Sequence, residues 1–293
     1  MFKTILAHLN GSECDAAVLQ TSLVLAQIDG GHLECLRVSP DPAALIAQSP
    51  QFDVGMSMAV ADTLQTIEKQ GRDATRNANG RFLTFCKHEK IAEADTPPGP
   101  NGISATWREK TGDELDEIVA QARFNDIVVL AGGTRRPGRL SEESLGHIVV
   151  ASGRPVLLAP QKPVKTLTGT IAIAWKDSAE AARAVVAAMP LLAKGRHVHV
   201  LAANEDDRKA IECLECSDSV VQQLRWHGLK AHGRFVIPAG RPVPDAILET
   251  AHSVGADLLV MGGYGHSRVR ELLFGGFTQR VLHGADLPVF LFH

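Results

Sequence analysis

Short apolar runs alternate with longer amphipathic stretches along this chain. Ile127-Val128-Val129-Leu130 and Leu258-Leu259-Val260-Met261 are continuously apolar, as strands covered on both faces by helices should be. Between such runs, Ala16 to Gln27, Asp113 to Arg123, Ala179 to Leu192, Ser219 to His227 and Val243 to His252 place apolar residues at helical spacing, and Phe277 to His283 reads as a last helix. Strand alternating with helix predicts open, doubly wound parallel sheets with right-handed crossovers. Residues from about Ser39 to Thr106 fit this least. Helix is expected over Met56 to Cys86, and Thr96-Pro97-Pro98-Gly99-Pro100-Asn101-Gly102 must be loop.

The pattern repeats once. Ile5-Leu6-Ala7-His8-Leu9-Asn10-Gly11-Ser12 matches Ile171-Ala172-Ile173-Ala174-Trp175-Lys176-Asp177-Ser178, each followed by an alanine-rich stretch. Asn125-Asp126-Ile127-Val128-Val129-Leu130-Ala131-Gly132 matches Ala256-Asp257-Leu258-Leu259-Val260-Met261-Gly262-Gly263, and Gly153 to Leu158 matches Asp286 to Leu291. All three fall in the same order at nearly the same offset, so the chain reads as two copies of one unit, residues 1–162 and 168–293. Pro160 and Pro163 mark the junction. It is short, so the copies are expected to pack closely.

Composition narrows the function classes. A formal net charge of -3 gives no overall basic field for nucleic acid or anionic lipid. No apolar run approaches the ~18 residues that span a bilayer, and Met1 to Ala7 lacks a signal-peptide pattern, so the expected address is the cytoplasm. Five cysteines at unrelated spacings are not a secreted disulfide framework, and reduced thiols are expected.

In an open parallel sheet, ligands bind beyond the carboxyl ends of the strands, beside the point where strand order reverses. The loop leaving Met261 carries Gly262 and Gly265 and reaches Gly275-Gly276 at the start of the last helix. Glycines let backbone N–H groups approach an anion, and a helix N-terminus adds partial positive charge. The same glycines also fit a tight turn or close helix–strand packing, and spacing alone leaves both readings open. No Walker loop is present, and the cluster lies too late in its unit for a dinucleotide fingerprint.

Gly262-x2-Gly265-x9-Gly275, with Asp257-Leu258-Leu259-Val260-Met261 and Leu287-Pro288-Val289 around it, resembles the signature of nucleotide-binding universal stress proteins. The resemblance covers both copies. It implies two tandem Rossmann-like (adenine nucleotide alpha hydrolase-like) domains, each an α/β unit with an open parallel five-stranded sheet, paired as the family's homodimers are. It also implies ATP or AMP as ligand; magnesium is left open. Carried over, Gly262, Gly265, Gly275 and Gly276 face the phosphates and Ala174 and Lys176 flank the nucleoside. This sequence departs from the signature twice: Gly276 stands where binders have Ser or Thr, and Lys176 where they have Asp. Asp177 is a neighbouring substitute acid. In the first copy the equivalent positions are Ala131, Thr134, Glu142 and Glu143, which offer carboxylates where phosphate would sit.

Cys213-x2-Cys216, followed by His227 and His232, has spacing reminiscent of a small zinc site or a redox pair. On the expected fold these four do not converge easily, with the cysteines at or just before a helix and His232 on the next strand. His197 and His199 alternate along a strand, while His266, Arg268, Arg270 and Glu271 lie in the glycine segment; no catalytic triad or carboxylate pair is recognisable. The expectation is a non-catalytic stress-response protein that binds an adenine nucleotide in its second copy and acts through unidentified protein partners. A nucleotide-independent interaction module is the alternative, and slow ATP hydrolysis a third reading that needs a positioned water and a metal. A homodimer through Val289 to Phe292 is conceivable unless the second copy's edge is already satisfied within the chain.

Overall fold

The computed structural model describes residues 1–41, 57–96, 102–132, 140–203, 210–263 and 276–293. The first unit runs β1 (Thr4–His8), α1 (Asp15–Asp29), β2 (His32–Ser39), α2 (Ser57–Glu89), β3 (Ala92–Glu93), β4 (Ser104–Thr111), α3 (Glu114–Ala122), β5 (Ile127–Ala131), α4 (Glu142–Ala151) and β6 (Val156–Ala159). The second runs β7 (Thr170–Trp175), α5 (Ala179–Leu192), β8 (His197–Ala203), α6 (Ala210–Trp226), β9 (Ala231–Val236), α7 (Val243–Ser253), β10 (Leu258–Gly262), α8 (Gly276–Gly284) and β11 (Val289–Phe292).

The strands form one continuous sheet in the order β3-β4-β2-β1-β5-β6-β11-β10-β7-β8-β9. Within each copy the five principal strands are parallel, and the two-residue β3 is an addition to the first. The copies meet where β6 and β11 pair antiparallel, Leu157 opposite Phe290. The edge considered for a homodimer is therefore occupied inside the chain. Strand order reverses between β1 and β5 in the first copy and between β7 and β10 in the second, which locates two switch points.

Matched local devices fix both copies. Asp126 Oδ2 accepts from the Lys3 and Thr4 amides at 2.7 and 3.0 Å, and Asp257 Oδ2 accepts from the Thr170 amide at 2.8 Å. The aspartate that opens each repeated Asp-apolar run thus ties its strand to the start of the neighbouring one; its role is architectural. Asp113 caps α3 and Ser178 caps α5 through side-chain oxygens that accept first-turn amides. One hydrophobic cluster on one face of the sheet runs from Phe2 and Ile5 through Val164 and Leu167 to Phe290, so the junction is buried in a core common to both copies. Phe2 and Phe290 meet with ring centroids 6.2 Å apart, and Lys194 Nζ lies 3.0 Å from Asp29 Oδ1. Among the described residues no helix is long and apolar enough to cross a membrane.

Candidate functional site

At the second copy's switch point β7 delivers Ala174, buried at the strand end, and then Lys176 and Asp177, both exposed. Ala174 lies opposite Met261 on β10, so Gly262 leaves the sheet beside the start of α5. A Cβ on Gly262 would stand 2.6 Å from the Ala181 amide nitrogen and 2.7 Å from the Glu180 carbonyl carbon. Close approach of the α5 backbone therefore requires glycine here whatever else binds. Gly276 is different: it opens α8, and among the described residues a Cβ there would meet nothing within 4 Å. Gly265, Gly275, His266, Arg268, Arg270 and Glu271 lie outside the described residues. The structure thus brings Ala174, Lys176 and Gly262 to one end of the sheet and places Gly276 at a helix N-terminus.

The first copy's switch point is filled differently. His8 takes the place of Ala174, is 4% exposed, and sets its Nε2 3.2 Å from Glu114 Oε1. Burial pushes the Glu114 carboxyl up, but the bond to His8 and the charges of His8 and Arg37 together hold it below the usual carboxylate value. Gly11 has φ +86° and packs on α2: a Cβ there would lie 2.3 Å from the Ala74 carbonyl oxygen. Arg81 Nη1 donates to the Gly11 carbonyl at 2.7 Å, while buried Asp15 accepts from the Asn10 and Gly11 amides, each at 2.9 Å. Burial raises the Asp15 carboxyl despite those donors. Beside this loop a cavity of about 790 Å³ opens at the ends of β1, β5 and β6, lined by Ser12, Cys14, Gln20, Arg81 and Gln161.

Glu142, expected to repel phosphate, points at the other copy, with its Oε1 2.8 Å from His283 Nε2 of α8. Glu143 is exposed, Ala131 ends β5, and Thr134 lies outside the described residues. Sequence reasoning did not anticipate the His8–Glu114 pair or the Glu142–His283 contact. A histidine in place of Ala174 was the available signal for the first.

The cysteine–histidine set is corrected by the fold. Cys213 and Cys216 lie inside α6, not at or before its start, and His227 follows that helix directly. A Cβ on Gly233 of β9 would point at Val221 and Asp218 of α6. Its strand neighbour His232 therefore projects to the opposite face, away from the helix that carries the cysteines. His232 instead stacks on His199 of β8, its register partner, with ring centroids 5.7 Å apart. Among the described residues no group of three metal-binding side chains converges. Of the described cysteines, burial pushes the Cys86 thiol up to about 11 and the Cys35 thiol well above its ordinary value, which disfavours the reactive thiolate at both.

Residues 168–293 match the model of the Universal stress protein family. Over 305 aligned positions the chain is 25% identical to Universal stress protein Slr1230 of Synechocystis sp. (strain ATCC 27184 / PCC 6803 / Kazusa), covering 99% of each. Among solved structures it is similar to a universal stress protein from Archaeoglobus fulgidus DSM 4304, with TM-score 0.67 and 17% identity over 99% of this chain and 95% of that one. It also resembles a putative universal stress protein from Pseudomonas aeruginosa UCBPP-PA14, with TM-score 0.58 and 15% identity over 99% and 93%. These structures share the fold.

Proposed function

Since residues 168–293 belong to the universal stress protein family, within a chain similar end to end to a relative of that name, we propose that this protein binds an adenine nucleotide at its second switch point and works through protein contacts rather than catalysis. One contrast between the copies carries the reading. Where the first copy fills the strand end with His8, Glu114 and an α2 packed on Gly11, the second has, among the described residues, the small Ala174. Among the described residues nothing crowds Gly276 at the N-terminus of α8, where its amide and the partial charge of the helix end would face a phosphate. Lys176, exposed just past Ala174, would meet an anion rather than a ribose hydroxyl. Binding matters to partners only if two conformations of the protein hold the nucleotide with different affinity.

A second reading, an interaction module that needs no nucleotide, is favoured by Gly262, whose lack of a side chain is fully accounted for by the α5 backbone. The test is to purify the chain without added nucleotide, denature it and identify released small molecules by mass spectrometry. Ala174→His, which copies the first unit's filling, and Gly276→Glu, which puts a carboxylate at the α8 N-terminus, serve as controls. Near-stoichiometric ATP or AMP from the native chain, lost in both variants, supports the first reading. None released, with no thermal shift at millimolar ATP, leaves the second.

A further inference from the structure

The outer edge of the second copy has a chemistry that the switch point does not use. Between Asp218 and Asp245 the chain contains no acidic residue and carries Arg225, Lys230, Arg234 and Arg241, although the whole protein is net negative. Arg241 is paired with Glu249. Arg225, Lys230, His232 and Arg234 are exposed on or beside β9, and Arg196 and His197 are exposed where β8 begins. The neighbouring His199 registers this field. Burial, followed by the charges of Arg234, His232 and His197, lowers its pKa below the ordinary imidazole value. Asp218 of α6 is an acidic group set against this strand, on the face opposite His232 and Arg234.

Among the described residues β9 is also the last strand of the sheet. The Val198 amide donates to the Lys230 carbonyl at 3.0 Å, so Lys230, His232 and Arg234 turn their backbone groups toward β8. By the alternation of a parallel ladder, Gly233 and Phe235 turn theirs outward, away from the sheet. The Ala231 carbonyl, on the same outward side, accepts from Arg225 Nε at 3.2 Å. Trp226, 90% exposed, stands at the amino end of this strand and Ile237, 71% exposed, at its carboxyl end. Pairing of two β9 edges from two copies would set like charges together, which destabilises the pair. An acidic strand would meet the cations Lys230 and Arg234 instead.

We propose that the β9 edge docks an acidic, extended peptide segment, which joins the sheet as a further strand held by the Gly233 and Phe235 backbone groups and by the Lys230, His232 and Arg234 side chains. The nucleotide reading plays no part in this. The test uses the full chain and a fluorescein-labelled peptide of alternating glutamate and valine, followed by fluorescence anisotropy, against the same peptide with lysine for glutamate. A labelled oligothymidylate of similar charge tests the nucleic-acid alternative. The glutamate peptide is expected to bind at least about ten-fold more tightly than the lysine peptide. Gly233→Pro deletes an outward amide but no charge and should weaken binding by roughly ten-fold, while Gly233→Ala, whose Cβ meets Val221 at an ordinary 3.5 Å, should not. Lys230→Glu with Arg234→Glu should abolish binding. Amide exchange supplies a readout in the unaltered chain, with Gly233 and Phe235 becoming protected when the peptide binds. Equal binding of both peptides, preference for oligothymidylate, or unchanged exchange at those two amides would overturn the proposal.

Discussion

Gly262 and Gly276 belong to the same glycine pattern but meet different surroundings. A Cβ on Gly262 would meet the backbone of α5 at less than van der Waals distance, so Gly262→Ala forces the strand end and helix apart. Overpacking of this kind costs about 1–3 kcal/mol. A fall of several degrees in Tm by calorimetry is expected, whether or not ligand is present. Gly276→Glu meets no neighbour among the described residues and adds a carboxylate to a helix N-terminus, so its Tm without ligand should match or slightly exceed that of the unaltered chain. If Gly262→Ala left Tm unchanged, the packing account of that glycine would fail. The spacing of these glycines was readable in the sequence; what each one touches was not, because the distance between a strand end and the next helix is set by the whole layer.

At the scale of elements, the strands were the most legible features, since Ile127 to Leu130 and Leu258 to Met261 are apolar at every position and have few alternatives. The helix over Ala179 to Leu192 was read with its observed bounds. α6 begins at Ala210, nine residues before the Ser219 that the pattern suggests. β4 escaped notice because its second half, Arg108 to Thr111, is an exposed and largely charged margin of the sheet. The loop before β11 carries a further prediction. Asp286 accepts from Lys162 in the junction and pairs with His252 of α7, and these bonds, Lys162 first, hold its carboxyl below the usual value. A carboxylate depressed in the folded state stabilises the fold above its ordinary pKa, and that contribution is lost as pH falls through the folded value. Asp286→Asn should therefore lower Tm near pH 7, with the two proteins converging as the pH drops below about 4. A constant Tm difference across that range would show that the carboxylate charge is not what matters.

The described strands form one sheet, and both of its hydrophobic clusters run across the junction, so the repeat does not make two independent bodies. The close packing read from the short junction is realised by the antiparallel pairing of Val289, Phe290 and Leu291 with Leu158, Leu157 and Val156, together with Phe2 against Phe290 and Lys194 against Asp29. Sequence comparison of the copies showed the repeat. It did not show that β6 and β11 complete each other, since nothing in either strand names its partner. Two consequences follow for experiment. The full chain should unfold in a single calorimetric transition whose measured enthalpy equals the van't Hoff enthalpy, because neither copy can lose β6 or β11 without exposing the other's buried edge. A fragment of residues 163–293 keeps its own sheet but presents β11 as an open, apolar edge, with Phe290 stripped of Phe2 and Leu157. That edge should be covered by its counterpart in a second fragment, giving a dimer by light scattering. Phe290→Lys in the fragment should return it to a monomer by placing a charge where the apolar contact forms. A monomeric fragment with the stability of the full chain would mean that the copies fold independently and that the pairing of β6 with β11 is incidental to the core.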